Sequence, residues 1–253
     1  MEDMNITDYL AKGGVITSPQ HMPPRYRAEV LRIMASFVDS ELAGAAGFAD
    51  LINQGPGVAE RIAAARIVME KTEHAAKVLR LMGEFGTDTQ RYASGHSWTD
   101  RLARDAAVGT ERAHGDMRLS VFNYPLAGWT DAVVMNLLMG QAVGLHLADY
   151  ARVSYQPLAE AMREISPIEA RHTALAQDGV AKMAAEGQKP ALQTSVDYWW
   201  PRVAVSFGSE SSNRATALAA MGLRHTANAE MRQRWQTQAG DTLAALGLAA
   251  PAE

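Results

Sequence analysis

Glu169-Ala-Arg-His172, set between Ile165 and Ala176, places a carboxylate and an imidazole three residues apart. On an α-helix that spacing leaves them about 60° apart around the axis, so they share a face. The rest of that face is apolar: Leu158, Met162, Ile165, Ala176, Val180 and Met183 fall on the same spacing of three and four. An acid and a histidine inside a core-facing stripe need partners, because unpaired polar groups are costly to bury. Ser166-Pro-Ile-Glu169 also reads as a capping box, with Ser166 as N-cap, Pro167 at the first helical position and Glu169 at N3. That reading would break the helix at Ser166. The unbroken stripe from Leu158 to Met183 favours one helix, kinked at Pro167.

Working outward, residues 1–22 form an arm of mixed character that ends at Pro23-Pro24, a helix-start signal. Helical spacing of apolar residues then predicts a first long helix from Arg25 to Asn53, broken by Gln54-Gly-Pro-Gly57. A second runs from Val58 to Phe85 and closes at Gly86. Residues 87–118 are polar and irregular, with short helices expected at Thr87–Ala93 and Trp98–Ala107. A third long helix is expected from Thr130 to Tyr155, apolar nearly all round and therefore central. The fourth spans Pro157–Gly187. Further helical segments fit 190–206, 213–223 and 227–246, and the tail 248–253 should fray. No segment shows sustained two-residue alternation or a solenoid repeat. One all-α domain over 1–253, a four-helix bundle with additional C-terminal helices, buries these stripes most simply.

Composition narrows the function. The formal net charge is −4, and a mildly acidic chain lacks the basic balance that non-specific nucleic-acid or anionic-membrane binding needs. With no cysteine, disulfides, thiolate catalysis and zinc–thiolate sites are excluded. The most apolar run, Ala132–Ala148, is interrupted by Asn136, Gln141 and His146, which suits a buried helix better than a membrane span. The N-terminus has no apolar h-region, so no signal peptide is expected and the cytoplasm is the default. No nucleophile elbow, phosphate loop or triad supports a hydrolase or transferase.

The polar residues on the core stripes are few. Glu41 is in phase with Phe37, Ala45 and Phe48; Lys71 and His74 complete the stripe of Ile67, Val78, Leu81 and Phe85. The opposite face of that second helix carries Arg66, Glu70, Glu73, Lys77, Arg80 and Glu84, a ladder typical of a solvated surface, so Glu70 and Glu73 read as surface residues. On the third helix, Gly140 and Gly144 would admit a close neighbour, while Asn136, His146 and Asp149 read as satisfied core or rim groups. One carboxylate from each of two helices plus Glu-x-x-His from two others is the pattern of a carboxylate-bridged di-metal site. Here it is incomplete.

The ordered set Met22-Pro-Pro-Arg-Tyr-Arg27, Ser40-Glu-Leu-Ala-Gly44, Phe122-Asn-Tyr-Pro-Leu-Ala-Gly-Trp129, Arg152-Val-Ser-Tyr-Gln-Pro157, Glu169-Ala-Arg-His172, Trp199-Trp-Pro201 and Glu230-Met-Arg-Gln-Arg-Trp235 resembles the catalytic A subunits of the multicomponent phenylacetyl-CoA epoxidases, ferritin-like di-iron oxygenases of phenylacetate degradation. The resemblance runs from residue 22 to about 247. It implies a ferritin-like bundle, a CoA-thioester substrate, ring epoxidation with O₂, electrons from separate reductase components, and a related partner subunit without a working metal site. Carried over by position, it implies Glu41, His74, Glu169 and His172 as metal ligands. It implies Arg32, Arg118, Phe122 and Asn123 at the CoA substrate. The chain departs from the family at two ligands, with Lys71 and Gly140 where carboxylates are expected. It is also longer between residue 87 and Phe122 and stops short of the family's C-terminal extension.

Those departures change the charge balance. Two ferrous ions beside Glu41, Glu169 and Lys71 would leave about three uncompensated positive charges in a helical core, which costs several kcal/mol per ion. A normal di-iron centre is therefore not expected; at most one iron, or no metal, fits. The metal-free arrangement is favoured, with Lys71 bridging Glu41 and Glu169. Two functions follow. One is an acyl-CoA oxygenase with an altered or mononuclear centre, in which Glu41, Lys71, His74, Glu169 and His172 carry the chemistry. The other is a catalytically silent paralogue that binds an acyl-CoA, or a sister subunit or a second copy of itself.

Overall fold

Proline at the start of a helix costs nothing, because its missing N–H would have no intrahelical partner there. In the computed structural model, which describes residues 6–20, 22–110 and 115–252, Pro24 opens the first long helix. Among the described residues the chain forms α1 (Ile6–Ala11), α2 (Pro24–Ala49), α3 (Val58–Glu84), α4 (Thr89–Ser94), α5 (Trp129–Tyr150), α6 (Gln156–Ala185), α7 (Lys189–Ala204), α8 (Asn213–Ala220) and α9 (Asn228–Ala245), and no strand. The expected all-α, ferritin-like class is what the chain adopts. Helix α2 packs along α3 and α5 along α6, while α3 touches α6; α7 and α9 cover α5 from outside.

Helix α5 is central because it is apolar nearly all round. Ala132, Val134, Leu137, Leu138, Ala142 and Leu147 are all buried. Among the described residues it is the one helix long and apolar enough to cross a membrane, and most of it is buried inside the bundle, as for a core helix. Trp235 of α9 donates its indole N–H to the Leu138 carbonyl at 2.9 Å, fixing the outer layer to the central helix. The contact of α5 with α6 depends on small residues. A Cβ at Gly140 would clash with Thr173 Oγ1, and one at Gly179 would lie 2.9 Å from Val133 Cγ1. Gly144 has open space around it, so it does not share the packing role of Gly140.

Helix α6 continues from Gln156 to Ala185 through Pro167. Ser166 does not cap: its hydroxyl donates back to the Met162 carbonyl at 2.8 Å, a bond made within a continuing helix. The single helix expected here is what forms, and the alternative capping box does not. Three expectations change. Helix α5 ends at Tyr150, five residues early, because residues 151–155 are taken up elsewhere. Ile16 N–H donates to the Ser154 carbonyl at 3.3 Å, Gln156 N–H to the Ile16 carbonyl at 2.8 Å, and Ser154 N–H to the Gly222 carbonyl at 2.8 Å. The N-terminal arm is therefore bound to the bundle from α1 onward. No helix forms at 98–107, since the Ser97, Trp98 and Asp100 carbonyls accept from the Arg118 guanidinium instead. The tail is ordered at its start, with Leu248 buried and Ala249 N–H donating to Gln193 Oε1 at 2.9 Å. Residues 1–5, 21 and 253, in the expected arm and tail, lie outside the described residues.

The irregular segment between α4 and α5 is held by one carboxylate. Asp39 of α2, fully buried, accepts from the Tyr92 hydroxyl at 2.9 and 3.0 Å, from Trp98 Nε1 at 3.4 Å and from the Met117 N–H at 2.7 Å. Ser40 Oγ next to it accepts from the Leu119 N–H at 3.0 Å. Removing the Asp39 acceptor strands several buried donors. Asp39→Ala is expected to lower unfolding stability by about 2–4 kcal/mol, read as a lower urea midpoint, with Asp39→Asn losing less.

Candidate functional site

Three helices bring their core-facing polar residues to one point. Helix α2 supplies Glu41, α3 supplies Lys71 and His74, and α6 supplies Glu169 and His172; all five are buried. Gly44 lies beside the Lys71 stem and tight against Phe122: a Cβ there would make ordinary contact with Lys71 Cδ at 3.7 Å but come within 3.2 Å of the Phe122 ring. The Lys71 ammonium donates to Glu41 Oε1 at 3.1 Å and to both Glu169 oxygens at 3.0 and 3.1 Å. His74 Nδ1 lies 3.2 Å from Glu41 Oε2 and 3.0 Å from Glu169 Oε1. Both carboxylates are thus shared between the same two cations.

Electrostatics follow from that sharing. Burial alone would lower the Lys71 pKa, but the charges of Glu169 and Glu41 outweigh it and raise it. Burial likewise works against charged His74, and hydrogen bonds to Glu169 and Glu41 overcome it, lifting the pKa to about 9. Glu169, which burial would raise, is held well below its usual range by the Lys71 charge and the neighbouring histidines.

Glu70, expected on the surface, belongs to this cluster. It accepts from or pairs with His172 Nε2 at 2.6 Å through Oε2, and Arg171 donates to Oε1 at 2.5 Å. Burial would raise its pKa, but these bonds to His172 and Arg171 lower it. The His172 Nδ1 lies 3.3 Å from Glu169 Oε1 without hydrogen-bond alignment. Glu73 is exposed, as expected. The signal for Glu70 was its position one turn before His74, which the charge ladder around it concealed. Asn136 is satisfied as expected, donating to the His172 carbonyl at 3.2 Å. Asp149 is too, accepting from the His225 N–H at 3.1 Å and Arg152 at 3.2 Å.

Glu41, His74 and Glu169 each offer one atom within 4.8 Å of the others, so this trio could hold a single metal ion; His172 lies outside it. The donor chemistry argues against a pair of metals. The Lys71 ammonium already stands between the two carboxylates, and a second cation beside it would meet like charge. At Gly140 there is no ligand, and Thr173 fills the space a side chain would need. The carboxylates Glu41, Glu70 and Glu169 thus find cationic partners within the protein, in Lys71, His74 and Arg171.

Two adjoining cavities lead to the cluster. The outer cleft, about 550 Å³, lies between α2, the segment 115–120 and α8, and is bordered by Arg32, Asn123, Arg214 and Arg224. The inner chamber, about 60 Å³, is walled by Phe37, Leu119, Phe122, Met139, Val143 and Leu147 and ends at Glu41. Ser36, Leu119, His146 and Tyr150 border both. The expected substrate residues separate here. Arg32 is exposed, with a 3.9 Å contact to Glu29. Arg118 is buried and spent on Asp116 at 2.5 and 2.7 Å and on three backbone carbonyls, so it builds the cleft wall. Phe122 lines the chamber and Asn123 the cleft.

His146 overturns its expectation as a satisfied group, because both ring nitrogens are buried without a protein partner. Burial, then the nearby Arg224 charge, lowers its pKa from 6.5 to about 3, with Asp149 opposing. Its folded pKa lies below its unfolded one, so it favours folding above pH 6.5 and this is lost as pH falls toward 3. A plot of melting temperature against pH should drop over that window, and His146→Leu should flatten the drop. Lys71→Met should cost about 3–5 kcal/mol in denaturant unfolding, since it leaves two buried carboxylates with one cation. Adding Glu169→Gln should recover part of that loss.

Comparison with known proteins agrees with the fold. Residues 2–253 match the model of the family described as phenylacetic acid catabolic protein. The chain is also 25% identical, over 248 residues, to the A subunit of the 1,2-phenylacetyl-CoA epoxidase of Escherichia coli (strain K12), a match that covers 96% of this chain and 75% of that protein. With its whole helical bundle inside the matched range, the chain belongs to the phenylacetic acid catabolic protein family.

Proposed function

We propose that this protein binds an acyl-CoA thioester through the paired cavities and does not activate oxygen at a di-iron centre: a catalytically silent relative of the epoxidase's catalytic component. The observation that carries this reading is the Lys71 ammonium, 3.0–3.1 Å from both Glu41 and Glu169. A di-metal centre needs those carboxylates to bridge cations, and here they are bonded to the protein's own. The residues present do not fit the di-iron group of the oxygenases the chain resembles.

Acyl-CoA as ligand is supported by the bacterial relative, whose name specifies phenylacetyl-CoA, and by the cleft. CoA carries several negative phosphate charges on a long flexible arm. A cleft of about 550 Å³ has room for part of that arm, with the exposed Arg32 at its border; the other bordering guanidiniums are engaged, Arg214 by Glu29 and Arg224 by Thr226 and Asn228. The relative is also, by its name, one subunit of a larger enzyme, so pairing with a related ferritin-like subunit, or self-association, is part of the proposal.

Expression in iron- and manganese-replete medium tests it. Purified protein should hold metal well below one ion per chain, with no O₂-dependent conversion of phenylacetyl-CoA in the presence of a reductase. Two occupied positions by anomalous scattering, or stoichiometric iron with turnover, would overturn the reading. Lys71→Glu should raise the metal content, since it exchanges the internal cation for a fourth carboxylate.

A further inference from the structure

The inner chamber is much smaller than the cleft that leads to it, about 60 against about 550 Å³. Resting on the acyl-CoA reading above, we propose that this chamber selects thioesters of short aliphatic acids and excludes an aromatic ring. A dry cavity that takes up benzene measures about 150 Å³, whereas about 60 Å³ holds roughly two to four carbon atoms.

The walls are not of a kind that yields easily. Met139 and Leu147 are buried in the core on α5, and Phe122 is pressed against Gly44, where even a Cβ would come within 3.2 Å of its ring. At the inner end, Glu41 is fixed by Lys71 at 3.1 Å and His74 at 3.2 Å, so the floor cannot retreat without breaking the ion pairs. Close-packed interiors resist added volume, and overpacking is destabilising. The chemistry of the lining matches the size. Apart from Glu41, whose oxygens are engaged by the cluster, the walls are mainly hydrocarbon. His146 borders both cavities, its two ring nitrogens buried without a protein partner.

Calorimetric titration of the full chain with CoA, acetyl-CoA, butyryl-CoA and phenylacetyl-CoA decides the matter. Butyryl-CoA should bind about tenfold tighter than CoA, from burial of its extra methylenes, and phenylacetyl-CoA no tighter than CoA. Phenylacetyl-CoA binding more tightly than butyryl-CoA, or equal affinity for all four, would overturn the size selection while leaving the acyl-CoA reading standing. Failure of all four to bind would overturn that reading and this inference with it. Met139→Ala should enlarge the chamber and shift preference toward phenylacetyl-CoA. Val143→Ala, at a less buried wall position, provides the same readout if the first variant does not fold.

Discussion

A lysine side chain in a helical core is tolerated only if its ammonium is matched by charge and fully hydrogen-bonded. Lys71 meets both conditions, because α2 and α6 deliver Glu41 and Glu169 to its two sides at 3.0–3.1 Å. The same contact holds three of the four long helices in register. Were α2 or α6 to slide by a turn, one carboxylate would lose its cation inside the protein. The cost of that loss makes the arrangement specific, even though a buried ion pair adds little net stability over a well-packed apolar core.

The cluster is closed as a set. His74 shares the two carboxylates with Lys71, and His172 and Arg171 engage Glu70 at the edge. Gly140 and Thr173 fill the remaining corner by contact between α5 and α6. Both central carboxylates, Glu41 and Glu169, are engaged by the protein's own cations. The two cavities then end at a wall of ion pairs. This is why the proposed role is binding, with selectivity set by the shape of the chamber.

Much of this could be read along the chain. The stripes of three and four identified Glu41, Lys71, His74, Glu169 and His172 as core-facing, because an amphipathic helix presents its buried face regardless of what packs on it. The same reasoning placed Glu70 outside. Its sequence neighbours form a solvent-type ladder, and only the approach of α6, with Arg171 and His172, turns it into a partner. The segment 98–107 misled for a related reason. Its local pattern favours a helix, but Arg118, some twenty residues later, takes the carbonyls a helix would use. Ser166-Pro-Ile-Glu169 has every local mark of a helix start, yet burial of the whole stripe from Leu158 to Met183 carries the helix through it.

By itself the sequence determined the helical class, the long helices and which of their residues face inward, since these depend on spacing within one element. A lysine at 71 and a glycine at 140, where the family resemblance implies carboxylates, were also visible there, as was the charge imbalance that two metals would then create. Only the tertiary structure decided what those residues do. That the ammonium reaches both carboxylates, that Thr173 occupies the space beside Gly140, and that His146 is left unpartnered between two cavities depend on distances between helices. Spacing along one helix carries no information about them, because they are set by how side chains from separate elements fill a common volume.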